Sequence, residues 1–168
     1  MPRLLQANAP LIGVPGGRHL LDTPALLIDL PAMTRNIERM AAFAKARGIG
    51  LRPHVKTHKM AEVVKLAATL GIHKSKCATI AEAEMVAAAG GADALLSYPL
   101  VGPNVKRLAE LIRQFPRTAF STLIDHPDAA RELAAGMIRA GTAVGVILDL
   151  DVGQHRTGVP VGTDALTL

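Results

Sequence analysis

The residues with the greatest chemical potential lie in Leu51–Met60, Leu-Arg-Pro-His-Val-Lys-Thr-His-Lys-Met. Arg52, His54, Lys56, His58 and Lys59 crowd into this one run, between two apolar stretches with helical spacing. Pro53 disfavours a helical conformation at Arg52 and favours extended chain. The run therefore reads as the end of a strand, Gly50–Lys56, entering the first turn of a helix. A lysine at the C-terminal end of a strand, partly desolvated among other cations, loses its proton more easily. It then becomes a nucleophile toward carbonyls. Lys56, with four cationic or titratable neighbours within four residues, is the candidate Schiff-base lysine. A solvated basic loop is the plain alternative, and placement between strand and helix rather than in a linker counts against it. His54 and His58 straddle the strand–helix junction and do not share a face. Polar contacts around the site are expected of them, not a metal pair.

A second informative run is Asp149–Gly158, Asp-Leu-Asp-Val-Gly-Gln-His-Arg-Thr-Gly. It follows the most apolar strand of the chain, where the working loops of parallel α/β folds lie. Its alternative reading is a loop whose Arg156 pairs with Asp149 or Asp151. A third run, Cys77-Ala-Thr-Ile-Ala-Glu-Ala-Glu84, goes from strand into helix. Thr79 there reaches toward the same crevice or caps the helix, because Glu82 stands at capping-box spacing. Cys77 reads as core, and Tyr98 as structural.

These runs need elements to hold them. Met1–Thr23, with prolines and a Gly16-Gly17 pair, is an irregular lead-in. Pro24–Leu30 is a short apolar strand. Asp29 and Pro31 start a helix that carries Met33, Ile37, Met40, Ala41 and Ala44 to Gly48. After Gly50–Lys56 come a helix over Met60–Leu70, a strand at Lys76–Ile80 and a helix at Ala81–Ala89. A strand at Ala94–Ser97 follows, then a helix from Pro103 with Val105, Leu108, Ile112 and Phe115 on one face. Next are a strand at Thr118–Ile124, a helix from Pro127 to Gly141, and a strand at Val144–Leu150. That last helix turns Ala130, Leu133, Ala134, Met137 and Ile138 inward. Strands alternating with single helices imply parallel βαβ units. A doubly wound sheet and part of a (β/α)8 barrel both fit. A complete barrel needs about 250 residues, so a barrel here is partial, with about five strands. The expectation is a truncated chain, with residues 24–168 as the barrel domain.

Three features together resemble one family. Arg52-Pro-His-Val-Lys-Thr-His-Lys59 is similar to the pyridoxal-phosphate (PLP) lysine motif of the D-threonine aldolase and D-serine dehydratase family. Those enzymes are alanine-racemase-like, or fold type III. Asp151, Gly153, Arg156 and Gly158 match that fold's Asp-x-Gly-x-x-Arg-x-Gly run, and the Thr79–Glu84 segment and Asp22-Thr-Pro-Ala25 also match. The resemblance implies that Lys56 carries PLP and that Lys59 is a second, non-covalent lysine. It implies that Arg156 hydrogen-bonds the cofactor's phenolic oxygen. His54, Thr79 and Gln154 join them as expected cofactor contacts. It implies a TIM-type barrel whose first strand, within Pro24–Leu30, belongs with a C-terminal β domain. The implied activity is a lyase on D-3-hydroxy amino acids, by retro-aldol cleavage to glycine and an aldehyde. D-serine dehydration to pyruvate and ammonia is the alternative, as is a non-catalytic PLP-binding module. A divalent metal (Mn, Mg or Zn) is implied, with ligands in a C-terminal region beyond this sequence, and a homodimer in the full-length form.

Composition excludes other classes. The net charge of +5 invites a nucleic-acid reading, but the basic residues are dispersed, and one Tyr and three Phe make no stacking platform. With 49% hydrophobic residues and no Trp, the core must be built from Ala, Leu, Val and Ile. No stretch approaches the roughly 20 apolar residues of a membrane span. The single cysteine forbids an internal disulfide, which fits a reducing, cytoplasmic setting. Gly13-Val-Pro-Gly-Gly17 lacks the spacing of a phosphate loop. A doubly wound signalling domain would want an acidic or Gly-rich site where Lys56 and its basic neighbours stand.

Overall fold

The computed structural model describes residues 8–168. The first seven residues of the expected lead-in lie outside the described residues. The chain forms two units, Met1–Asn36 and Ile37–Leu168. In the first, Asn8 and Asp22 bind each other: the Asn8 amide donates to the Asp22 carbonyl at 3.1 Å, and Asp22 N donates back to Asn8 Oδ1 at 2.9 Å. Between them lie two short 3-10 turns, Ala9–Leu11 and Gly17–Leu20. The Pro24–Leu30 strand does not form. No described segment pairs with it, and extended backbone without a neighbour has no ladder to join. Leu26 and Leu27 stand exposed. Leu30 instead opens α1 (Leu30–Lys45), because Asp29 Oδ1 accepts the Ala32 N–H at 2.9 Å and caps the helix start.

The second unit is built on four parallel strands in sequence order: β1 (Lys74–Cys77), β2 (Asp93–Leu96), β3 (Ala119–Ile124) and β4 (Gly145–Leu148). Single helices connect them: α3 (Ile80–Ala88), α4 (Pro103–Gln114) and α5 (Pro127–Arg139). α2 (Ala61–Thr69) precedes β1. The expected Gly50–Lys56 strand shrinks to one parallel bridge, His54 to Lys76, on the outer edge of β1. Pro53 has no N–H to give a ladder, although its carbonyl accepts from Lys76 N at 2.8 Å. Beyond His54 the chain turns into a 3-10 helix, Val55–Thr57. With that bridged segment the sheet has five parallel positions, which is the partial (β/α) barrel arrangement. The strand written as Lys76–Ile80 is shifted earlier, since Ile80 already belongs to α3. The one written as Val144–Leu150 breaks at Asp149, and Leu150–Asp151 (β5) pairs instead with Val159–Pro160 (β6). A last short helix, α6 (Thr163–Thr167), follows.

The core lies between the sheet and α3–α5. Cys77, Ala94, Leu96, Leu108 and Val86 are fully buried there, with Leu100 and Phe120. Cys77 is core, and burial pushes its thiol up to about 12, which leaves it inert. Two buried threonine hydroxyls are spent: Thr122 donates to the Tyr98 carbonyl at 2.9 Å, and Thr118 to the Gly91 carbonyl at 2.8 Å. Gly136 lets α5 close on α4, since a Cβ there would stand 2.2 Å from Val105 Cγ1. Three residues expected inward face out instead, Ala134 of α5 among them. Ile138 is 79% exposed beside buried Met137, and Met40 is 54% exposed. In each case the buried stripe is narrower than the apolar pattern.

β4 is the edge strand and is apolar throughout, yet Val146 is 53% and Ile147 44% exposed. Such an edge offers unpaired backbone groups and apolar side chains to another chain. Expressed as Met1–Leu168, the protein should therefore sediment as species larger than one chain. A monodisperse monomer at micromolar concentration would show that β4 is protected in solution.

Candidate active site

Parallel strands place all their C-terminal ends on one rim, where the connecting loops gather. Four features meet there: the Lys56 turn, the Ala78-Thr79 step after β1, Ser97-Tyr98 after β2, and the 149–158 loop after β4.

Local hydrogen bonds set the shape of the lysine turn. Val55 is buried and anchors it. His58 N and Lys59 N both donate to the Val55 carbonyl, at 3.2 and 2.8 Å. His54 Nδ1 accepts from Lys56 N at 3.3 Å, and His58 Nδ1 accepts from Met60 N at 3.0 Å. An accepting Nδ1 leaves Nε2 as the protonated nitrogen of each neutral ring. Burial first, then the charges of Lys56 and Lys76, lowers the pKa of His54. Burial also lowers that of His58. Both histidines thus hold backbone, and among the described residues there is no group of three or more His, Cys, Asp or Glu placed to hold a metal.

The cations around Lys56 are less free than the sequence suggested. Arg52 is turned to the opposite end of the sheet. It forms a two-pronged ion pair with Asp93, the first residue of β2, with Nη2 donating to Oδ2 at 2.9 Å. Lys59 Nζ lies 3.7 Å from Oε1 of the buried Glu82. Lys56 is exposed on the rim, and among the described residues it joins no ion pair.

Thr79 caps α3: its hydroxyl accepts from Glu82 N at 3.2 Å, while Glu82 Oε2 accepts from Ala78 N at 2.7 Å. Thr79→Ala should cost about 1 kcal/mol of stability, read as a lower urea midpoint with an unchanged slope. A loss below about 0.3 kcal/mol, too small for a typical cap, would mean that the cap is redundant.

The 149–158 loop explains most of its own motif. Asp151 accepts from Gly153 N at 2.9 Å and from His155 N at 3.0 Å, and its other oxygen meets His155 Nδ1 at 3.0 Å. The His155 and Gly153 N–H groups hold its carboxyl below the usual range. Gly158 has φ +94, and a Cβ on it would stand 2.6 Å from Asp151 N. Its N–H donates to Asp125 Oδ2 at 3.3 Å. Asp151, Gly153 and Gly158 are therefore there for the backbone. The side chains of Arg156 and Gln154 are exposed and, among the described residues, make no hydrogen bond within the loop. The expected alternative, Arg156 paired with Asp149 or Asp151, is absent among the described residues, and His155 takes Asp151 instead.

Lys56 and Arg156 share the rim but do not touch. Their segments stand four strand positions apart, about 19 Å along a flat sheet, so only a curved sheet brings them nearer. A concave surface of about 710 Å³, lined by Lys45, Gly48, Ile49, Leu70 and Ile72, is not that site. Its residues end α1 and α2 and lead into the sheet, so it opens on the opposite rim.

A parallel α/β sheet with an exposed lysine turn and a self-supported arginine loop on one rim is the architecture of a partial (β/α) barrel domain. The chain belongs to the family described as alanine racemase, N-terminal domain, whose model matches residues 28–168. It is 36% identical over 149 residues to the D-threonine aldolase of an Arthrobacter species, covering 88% of this chain and 38% of that protein. The crystal structure of D-threonine aldolase from Filomicrobium marinum superposes with a TM-score of 0.80 at 34% identity, over 87% of this chain and 39% of that one. A metal-free form of a D-threo-3-hydroxyaspartate dehydratase variant gives a TM-score of 0.77 at 36% identity, covering 88% and 38%. The chain thus spans about two fifths of the length of the relatives it matches.

Proposed function

We propose that residues 24–168 are the cofactor-bearing part of a PLP-dependent lyase of D-threonine aldolase type, acting on D-3-hydroxy amino acids. One observation carries the reading. Lys56 is presented on the C-terminal rim, while Arg52 and Lys59, the other strong cations of its run, are each tied to a carboxylate. The donor set fits the group. An exposed amine can engage the cofactor's aldehyde carbon, and the unspent guanidinium of Arg156 can face its phenolic oxygen. When bound, PLP supplies an electron sink for the charge that develops at Cα.

The chain's own residues then have distinct tasks. Lys56 provides the amine that anchors the cofactor. His54 fixes the backbone of Lys56 and, kept neutral by its surroundings, adds no charge beside that amine. Arg156 and Gln154, on a loop held by Asp151 and Gly158, give donors without needing rearrangement. Thr79 has its hydroxyl proton left to donate after capping. Tyr98, half-buried with its carbonyl taken by Thr122, stays structural. The net reaction is cleavage of Cα–Cβ to glycine and an aldehyde. A divalent metal for the substrate hydroxyl and a homodimeric cytoplasmic enzyme complete the proposal, with metal ligands outside these residues.

The test is to assay a full-length version, including the C-terminal region proposed to carry the metal ligands, with PLP and Mn²⁺ or Zn²⁺ on D-threonine and D-serine, measuring glycine and pyruvate. Glycine release from D-threonine is expected. Pyruvate alone would make it a dehydratase, and neither product would reject the lyase reading. Arg156→Ala should leave stability within about 1 kcal/mol, as at other surface positions, and shift the absorption of the bound cofactor. Unfolding with an unchanged spectrum would make Arg156 structural instead.

A further inference from the structure

We propose that Glu82 is a positioning residue for Lys56, acting through Lys59. The inference rests on Lys56 being the cofactor lysine. Glu82 sits in the first turn of α3 and is 5% exposed. Capping alone does not explain a buried anion there, because Gln serves the same capping role without charge. A buried carboxylate is costly unless it is both hydrogen-bonded and paired. Glu82 divides those needs between its oxygens: Oε2 takes the Ala78 N–H at 2.7 Å, and Oε1 faces Lys59 Nζ at 3.7 Å.

Lys59 is the hinge of this arrangement. It has φ +52, a conformation that side-chain-bearing residues seldom adopt. Its N–H donates to the Val55 carbonyl at 2.8 Å and so closes the turn around Lys56. Holding it in that conformation requires support from outside the turn. Glu82 supplies that support from α3. The charge of Glu82 also reaches His54 and His58, where it opposes the lowering by burial. His54, His58 and Lys59 thus all register the same carboxylate. The pair ties the lysine turn to the end of β1, the place where β1 hands over to α3.

The experiment follows the rate at which added PLP becomes covalently attached at Lys56, trapped by borohydride in the full chain. Glu82→Gln keeps an acceptor for Ala78 N–H and removes the charge. It should leave the thermal midpoint unchanged and slow attachment on the order of tenfold, the scale of a small misplacement. Lys59→Met should slow it equally, and the double variant no further, because both break one contact. Lys59→Arg should restore most of the rate. Wild-type rates in Glu82→Gln, or multiplied effects in the double variant, would overturn the proposal. Should Glu82→Gln fail to fold, Lys59→Met, at a side chain 66% exposed, decides in its place. An unlabelled Lys56 in the wild-type chain would instead reject the functional reading itself, and this inference with it.

Discussion

Lys56→Ala should abolish covalent cofactor binding and lower turnover by about three orders of magnitude or more, as expected when the nucleophile that anchors the chemistry is removed. Stability should hardly move. Lys56 is exposed, sits in a three-residue 3-10 turn, and its backbone N–H rather than its side chain makes the local bond. Surface substitutions of that kind stay within about 0.5 kcal/mol. Lys59→Ala makes the contrast. It removes a partner of Glu82 and slows attachment but leaves an amine to attach. Turnover and absorption, measured beside thermal unfolding, separate the two. Retained activity in Lys56→Ala would remove this lysine from the chemistry.

The second large effect is expected at Gly158. A Cβ there meets Asp151 N at 2.6 Å and Leu150 C at 2.7 Å, and both are backbone atoms that cannot swing aside. The φ of +94 adds strain for any other residue. Gly158→Ala should therefore cost about 1–3 kcal/mol and displace the loop bearing Gln154 and Arg156, weakening PLP binding as well. Gly153 is the internal control. Its φ is +116, but a Cβ on it meets nothing within 4 Å, so Gly153→Ala should carry the backbone strain without the collision and cost less. Paired urea titrations with PLP-binding isotherms give the ordering. Equal costs at the two positions would mean that the loop absorbs the collision.

Much of this was legible in the sequence, because helix starts are written locally. Asp29, Pro103, Pro127 and Thr79 each stand at or beside a helix beginning, and the alternation they punctuate gives parallel units. Strand pairing is not local. Pro24–Leu30 and Gly50–Lys56 both read as strands by composition, yet among the described residues one finds no partner and the other keeps a single bridge. The site divides in the same way. Lys56 and the 149–158 loop were visible as runs of unusual residues. The Arg52–Asp93 pair spans two strands and was invisible, so Arg52 was counted among the cations of Lys56. Glu82 was seen as a capping residue, and nothing in a capping box signals that its carboxylate is buried against a lysine. His155 was passed over because the Asx-type turn that binds it depends on the positive φ of Gly153 and His155.

The most direct measurement is borohydride reduction of the PLP-loaded full chain, followed by peptide mapping. A pyridoxyl group on Lys56, with Lys59 unmodified, is the predicted result. An adduct on Lys59, or on neither lysine, would contradict the account.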